Sequence, residues 1–216
     1  MPRLAKQDAR AYNLFMLRID NLTKHYDQRV IFQGLTHSFA PGCVALCEEE
    51  SNGKTTFLNI LAGVLAPERG DVFIDGYSLQ QDPAAAKARL GFVPADCLIA
   101  PQQTGRELLL QTAQEKGITL NPALLELAHR LDLDTHLDKR FEQMSTGTRR
   151  KVYLVAAMIG DPAVIIADGP TDGVDAKSCA VLVEQFKLWA QTKVVIFASH
   201  DAPFVEACGA SLFNLT

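Results

Sequence analysis

Five consecutive residues, Asn52-Gly53-Lys54-Thr55-Thr56, have the types and the order needed to hold a phosphate. Gly53 lets the backbone approach an anion closely, and the amides that open a helix at Lys54, Thr55 and Thr56 point at that anion. Lys54 adds a positive charge, and the Thr55 hydroxyl can ligate magnesium. A complete phosphate loop, G-x-x-x-x-G-K-[ST], requires glycine at position 48, where this chain has Glu48, followed by Glu49, Glu50 and Ser51. A second group is the apolar run Val164-Ile165-Ile166-Ala167 ending in Asp168, then Gly169-Pro170-Thr171-Asp172-Gly173-Val174-Asp175. A carboxylate at the carboxyl end of a parallel strand, beside a phosphate loop, is placed to hold magnesium through water while Thr55 holds it directly. Alone, such an aspartate would simply cap the next turn. Ser145-Thr146-Gly147-Thr148 opens a third segment, with Ser145 as N-cap, Gly147 leaving backbone amides open and Arg149-Arg150-Lys151 adding positive charge. It is either an anion-binding helix end or a plain cap. His200 ends an apolar strand, as Asp168 does, and an imidazole there could reach a γ-phosphate.

These residues need a sheet whose strands end level with one another. Alternation predicts a strand over 14–22, a turn over 23–28 and two short strands at 30–32 and 35–39, forming a small antiparallel layer. A buried strand over 43–47 leads into the loop, and the helix after it carries Phe57, Leu58, Ile60 and Leu61 as far as Gly63. A strand at 71–76, a helix at 83–89 and a strand at 90–94 follow. From 104 to 141 leucines recur at three and four, predicting a helical insert. The acidic stretch 132–138 reads as a solvated loop. Helices then alternate with continuous apolar strands to the end: a helix after Ser145, a strand at 163–167, a helix at 175–190, a strand at 193–198, a helix near 204–207 and a strand at 211–215. Such alternation predicts an α/β fold with a mostly parallel sheet covered on both faces, and with the phosphate loop it resembles a P-loop NTPase core. Residues 14–216 make one domain, with a helical subdomain at about 96–158, and 1–13 a polar extension.

The 216 residues are 48% hydrophobic and 21% charged, an ordinary globular composition. A net charge of −4 supplies no global basic field, so no nucleic-acid partner is expected. The longest apolar run, 152–159, is far short of the roughly 18 residues that span a bilayer. A membrane role would therefore come through a partner. The five cysteines contain no C-x-x-C pair and suggest reduced thiols.

In order and spacing these segments resemble the nucleotide-binding (ATPase) subunit of ABC transporters, from about residue 14 to the end. The resemblance implies that Tyr26 stacks on adenine, that 52–56 is the Walker A loop and that Pro94 marks the Q-loop. It makes Ser145-Thr146-Gly147-Thr148 the signature, Asp168 the Walker B acid, Asp175 the D-loop acid and His200 the switch histidine. The S-T-G-x-R-R-K detail is similar to that of export systems. ATP with Mg2+ would be the ligand, sandwiched between the Walker A loop of one subunit and the signature helix of another. Closure would drive a membrane permease, placing the chain at the cytoplasmic face of the membrane.

The same resemblance shows what is missing. The Q-loop glutamine is Ala95, and the glutamate expected after the Walker B acid is Gly169, which has no side chain to orient water. Loss of a general base removes roughly 10²–10⁴-fold of rate. A carboxylate about 4 Å from a phosphate charge costs on the order of 4 kcal/mol at an effective dielectric of 20, against roughly 1 in water, so one inward Glu at 48–50 could cancel Lys54. Such a Glu could even pair with Lys54 and fill the phosphate position. Two classes remain open at this level. One is a degenerate ATP-binding subunit, heterodimeric in preference to homodimeric because a partner could use its signature. The other is a nucleotide-independent pseudo-ATPase that serves in docking or regulation.

Overall fold

The computed structural model describes residues 15–27, 29–46, 53–97 and 100–215. The strands are β1 (Leu17–Tyr26), β2 (Arg29–Phe39), β3 (Gly42–Leu46), β4 (Arg69–Ile74), β5 (Tyr77–Ser78), β6 (Leu90–Val93), β7 (Val164–Asp168), β8 (Val194–Ala198) and β9 (Ser211–Phe213). The helices are α1 (Lys54–Leu61), α2 (Pro83–Ala88), α3 (Gly105–Glu115), α4 (Pro122–Arg130), α5 (Thr146–Ala157), α6 (Ala176–Ala190) and α7 (Ala202–Ala207). An antiparallel sheet has the order β2-β1-β4-β5, and a second sheet, parallel at every pairing, has the order β6-β7-β8-β3-β9. The expected α/β architecture with a small antiparallel layer is present.

Alternation within the parallel strands builds two cores. Cys43, Ala45, Ile165, Ala167, Val195 and Phe197 face one way, into a cluster completed by α5 and α6. Val44, Leu46, Val164, Ile166, Val194 and Ile196 face the other, onto α1 and the antiparallel sheet. Because both faces are covered, β7 and β8 read as unbroken apolar runs. Phe186 anchors the first core, with edge-on contacts to Phe197 and Phe204 at ring separations of 5.4 Å. In the second, Phe32 of β2 meets Phe57 of α1 edge-on at 5.7 Å, fixing the antiparallel sheet over the phosphate-loop helix.

Three expectations need correction. β1 runs through Tyr26 instead of turning at 23, because irregular pairings with β2 near Leu22 and Lys24 absorb the break in alternation. The two short strands are one, β2, carried across Gly34 by a left-handed φ of 68°. The stretch 132–138 is more than a solvated loop: Leu133 and Leu137 are buried, while Asp132, Asp134 and Asp138 pair with Lys177, His129 and Arg106. The helical region is tied to the sheet by half-buried Lys116, whose ammonium donates to the carbonyls of Leu90 (3.0 Å) and Ile159 (2.8 Å). Burial lowers its pKa. Residues 1–13 lie outside the described residues.

Candidate functional site

Parallel register places the functional segments side by side. Leu46 of β3 and Asp168 of β7 are both level with Ala198 of β8, so the carboxyl ends of these three strands, the turn after Asp168 and the Ser199-His200 segment lie at one sheet edge. Carboxyl ends of parallel strands are where ligands bind in α/β sheets. The Gly169 amide donates to the Ala198 carbonyl at 2.9 Å, extending β7–β8 pairing beyond Asp168.

At α1, Gly53 is left-handed (φ 89°), and a Cβ there would overlap the Ile31 side chain of β2. Glycine is therefore required twice, for its backbone and for its lack of a side chain. The Gly53 carbonyl accepts from the Phe57 amide at 2.8 Å, which starts the helix, and no side chain caps that end. The Thr55 hydroxyl donates to the Asp168 carboxylate. Asp168 is 9% exposed. Its carboxyl pKa is raised chiefly by burial; the Thr55 bond and the charges of Arg150 and Lys54 oppose the shift, and the charge of Asp172 adds to it. The two expected metal-binding side chains are thus already one hydrogen bond apart. A hard cation taking an oxygen or a bridging water from each fits that pair. Asn52 and Glu48, Glu49 and Glu50, with the proposed Glu–Lys54 pair, lie outside the described residues.

The signature segment folds as expected at its cap and differently beyond it. Ser145 accepts from the Thr148 amide at 3.1 Å and caps α5. Gly147 does more than expose amides: a Cβ on it would run into the Gly173 carbonyl, so glycine is needed for backbone contact. The three cations do not form an open positive field. Arg149 donates to the carbonyls of Phe141 and Met144 and to the Thr146 hydroxyl. Arg150 is 2% exposed and donates to the carbonyls of Asp168 (2.6 Å), Ala95 (2.9 Å) and Pro94 (3.3 Å). Lys151, also buried, reaches Asp175 at 3.3 Å and Ser178 at 3.1 Å. The apolar run that follows, 152–159, was the available signal: a helix buried nearly all round also buries its first charges.

Asp175 caps α6, accepting from the Ser178 amide (2.9 Å) and hydroxyl (2.8 Å) as well as from Lys151. The Ser178 amide is the main reason its carboxyl pKa falls to about 2. Tyr26 is exposed at the end of β1 with the Lys24 ammonium 5.3 Å from its ring centre. His200 is exposed just past β8, and Ala95 offers only its carbonyl.

Gly169 is left-handed at φ 63°, its carbonyl accepts from the Asp172 amide at 3.1 Å, and a Cβ on it would strike the Asp172 carboxylate. Asp172 also faces Arg150 at 3.8 Å. Sequence reasoning read Arg150 only as part of a positive run and gave Asp172 no role, because their neighbours come from three separate segments.

A family model described as ABC transporter matches residues 36–172. The chain is 32% identical over 192 residues to Nod factor export ATP-binding protein I of Paraburkholderia xenovorans, covering 85% of this chain and 62% of that protein. It is 29% identical over 196 residues to linearmycin resistance ATP-binding protein LnrL of Bacillus subtilis, covering 88% and 63%. The chain thus spans about three fifths of the length of these relatives. A dimeric bacterial ABC transporter cassette superposes with a TM-score of 0.79 at 20% identity, covering 93% of this chain and 95% of that one, a likeness of fold. The family match runs from β2 to the turn after Asp168, more than half of the 216 residues, and this chain belongs to the ABC transporter family.

Proposed function

We propose that the chain is a degenerate ATP-binding subunit of an ABC transporter of the export type, with impaired hydrolysis at its own site. The observation that carries this reading is the contrast between two neighbouring positions. Thr55 and Asp168 are joined by a hydrogen bond, which brings together two oxygens of the kind magnesium takes, while the next residue, Gly169, is left-handed and has no side chain of its own to orient water. Lys54 and the amides of α1 bind the phosphates. Thr55 and Asp168 hold Mg2+, which when bound neutralises phosphate charge. Tyr26 meets the adenine, and Ser145, Thr146, Gly147 and Thr148 face the nucleotide of a second subunit. His200 and Asp175 belong to the same composite site. A heterodimer is favoured, since a competent partner can use an intact signature, and dimer closure acts on a membrane permease at the cytoplasmic face. The export direction rests on the names of the two relatives, one an export protein and one a resistance protein.

The three carboxylates at 48–50 favour a second reading, a pseudo-ATPase that needs no nucleotide and serves in docking or regulation. Titrating the pure protein with a fluorescent ATP analogue and Mg2+, followed by a turnover assay, separates the two. Saturable binding below millimolar ATP with slow turnover is the expected result. No binding at millimolar ATP refutes nucleotide use at this chain's own site.

A further inference from the structure

We propose that the Asp172 carboxylate is the group that orients the attacking water at this site, occupying the space into which a side chain at position 169 would project. The inference rests on the reading above that Mg-ATP binds beside Asp168.

The backbone places Asp172 there. Gly169, left-handed at φ 63°, accepts the Asp172 amide at 3.1 Å, and this turn folds residue 172 back over the end of β7. A Cβ built on Gly169 would fall onto the Asp172 carboxylate, so a side chain at 169 and the present position of Asp172 exclude one another. The carboxylate that a one-residue step from Asp168 would supply is supplied by a four-residue turn instead.

The electrostatics agree with a working position. On its inner side Asp172 faces the Arg150 guanidinium at 3.8 Å, longer than a hydrogen bond, while Arg150 spends its short contacts on the carbonyls of Asp168 and Ala95. The Asp172 side chain is 54% exposed, leaving its oxygens open to water at the sheet edge. Among the described residues, Asp175 is committed to Ser178 and Lys151, and Asp201 to the Phe204 amide that it caps.

In the reaction, a water O–H donates to an Asp172 oxygen, and the water oxygen forms a bond to the γ-phosphorus. The bond from that phosphorus to the β,γ-bridging oxygen breaks, leaving its electron pair on ADP. The water proton passes to the Asp172 carboxylate and then to solvent through its exposed face, giving ADP, phosphate and one proton.

Asp172→Asn tests this by two readouts that move in opposite directions. Removing a negative charge beside the phosphates tightens Mg-ATP binding, by about fivefold for an interaction screened nearly as in water. Removing the acceptor lowers single-turnover hydrolysis by about 100-fold. Asp172→Glu, which keeps the charge, binds as the wild type does. Asp172→Ala repeats the Asn result, and thermal melts of all three verify folding. Binding and hydrolysis that weaken together, or that both stay unchanged, overturn the proposal while leaving Mg-ATP binding established. So does a wild type that binds Mg-ATP without hydrolysing it. A wild type that fails to bind Mg-ATP in the titration overturns both this proposal and the reading it rests on.

Discussion

Gly169→Glu looks like a simple repair, and the geometry predicts that it fails. Residue 169 sits at φ 63°, in the left-handed region where an L side chain costs roughly 1–2 kcal/mol. The new side chain must also displace the Asp172 carboxylate from its place opposite Arg150. Because Asp172 is half exposed, that ion pair adds less than about 1 kcal/mol. For a domain of this size each kcal/mol moves the melting temperature by about 2–4 °C, so a total of about 1–3 kcal/mol should make Gly169→Glu melt about 2–12 °C below the wild type. Gly169→Ala adds only the Cβ, which already brings both the left-handed strain and the clash with Asp172, and should account for most of the loss. Because Gly169→Glu displaces the Asp172 carboxylate, its Mg-ATP turnover should fall below that of the wild type, towards the roughly 100-fold loss expected of Asp172→Asn. Thermal unfolding of the three proteins, followed by circular dichroism, and a coupled phosphate-release assay supply both measurements. Gly169→Ala melting at or above the wild-type temperature would refute the strained-turn argument. Rapid turnover by Gly169→Glu would show that the loop around Glu48–Glu50 was never the obstacle.

Arg150→Met leaves the buried carbonyl of Asp168 without its donor, and at about 1–3 kcal/mol for an unsatisfied buried group it should lower stability by about 2 kcal/mol in a denaturant titration. Gly147→Ala drives a methyl into the Gly173 backbone and should cost about 1–3 kcal/mol by the same measurement; an unchanged midpoint would mean that the contact is loose. Asp175→Ala removes the α6 cap and should cost about 1 kcal/mol. The Asp175 carboxyl is held down to about 2, below its unfolded value near 4, so its stabilisation is complete above about pH 4 and is lost as pH falls towards 2. With the side chain more than half exposed, solvent screening limits that loss to about 1 kcal/mol, and the Asp175→Ala variant should show a flatter acid-unfolding curve over this window.

Residues whose role follows from local pattern were legible in the sequence. The Ser145 cap, the Asp175 position opening α6, the unbroken runs of β7 and β8 and the glycine before Lys54 each depend on neighbours within a few positions or on burial that repeats along a strand. The α/β fold followed because a sheet covered on both faces leaves no alternation in its central strands, and Val164–Asp168 and Val194–Ala198 are buried throughout. Arg150 and Lys151 were misread as an open charge because their partners lie on segments that only the fold brings near, the Pro94-Ala95 pair and the 168–178 stretch. Asp172 was hidden for a further reason. Its meaning depends on a positive φ at Gly169, and a glycine at that position read only as a missing carboxylate. Likewise, the continuity of β1 through Tyr26 depends on pairing irregularities that no alternation rule marks.

The contacts between α5 and the 168–178 segment bear on how the two ends of a composite site could communicate. Four fasteners join them: Arg150 to the Asp168 carbonyl, Arg150 to the Asp172 carboxylate, Gly147 against the Gly173 backbone, and Lys151 to Asp175 and Ser178. They fall at successive points along one helix face and one turn, so neither element can slide by a fraction of an ångström without opening several at once. The same Arg150 reaches the Ala95 and Pro94 carbonyls, which adds the loop after β6 to the unit. A side chain at 95 is therefore not required to tie that loop to the metal end of the site, because the tie is made through its backbone. If a magnesium ion bound with the phosphates drew Asp168 towards Thr55, the displacement would pass through Arg150 to the N-terminus of α5, the end that carries Ser145 and Thr146. That transmission needs only ligand binding. It would operate whether or not hydrolysis follows, and so fits the slow turnover proposed for this chain.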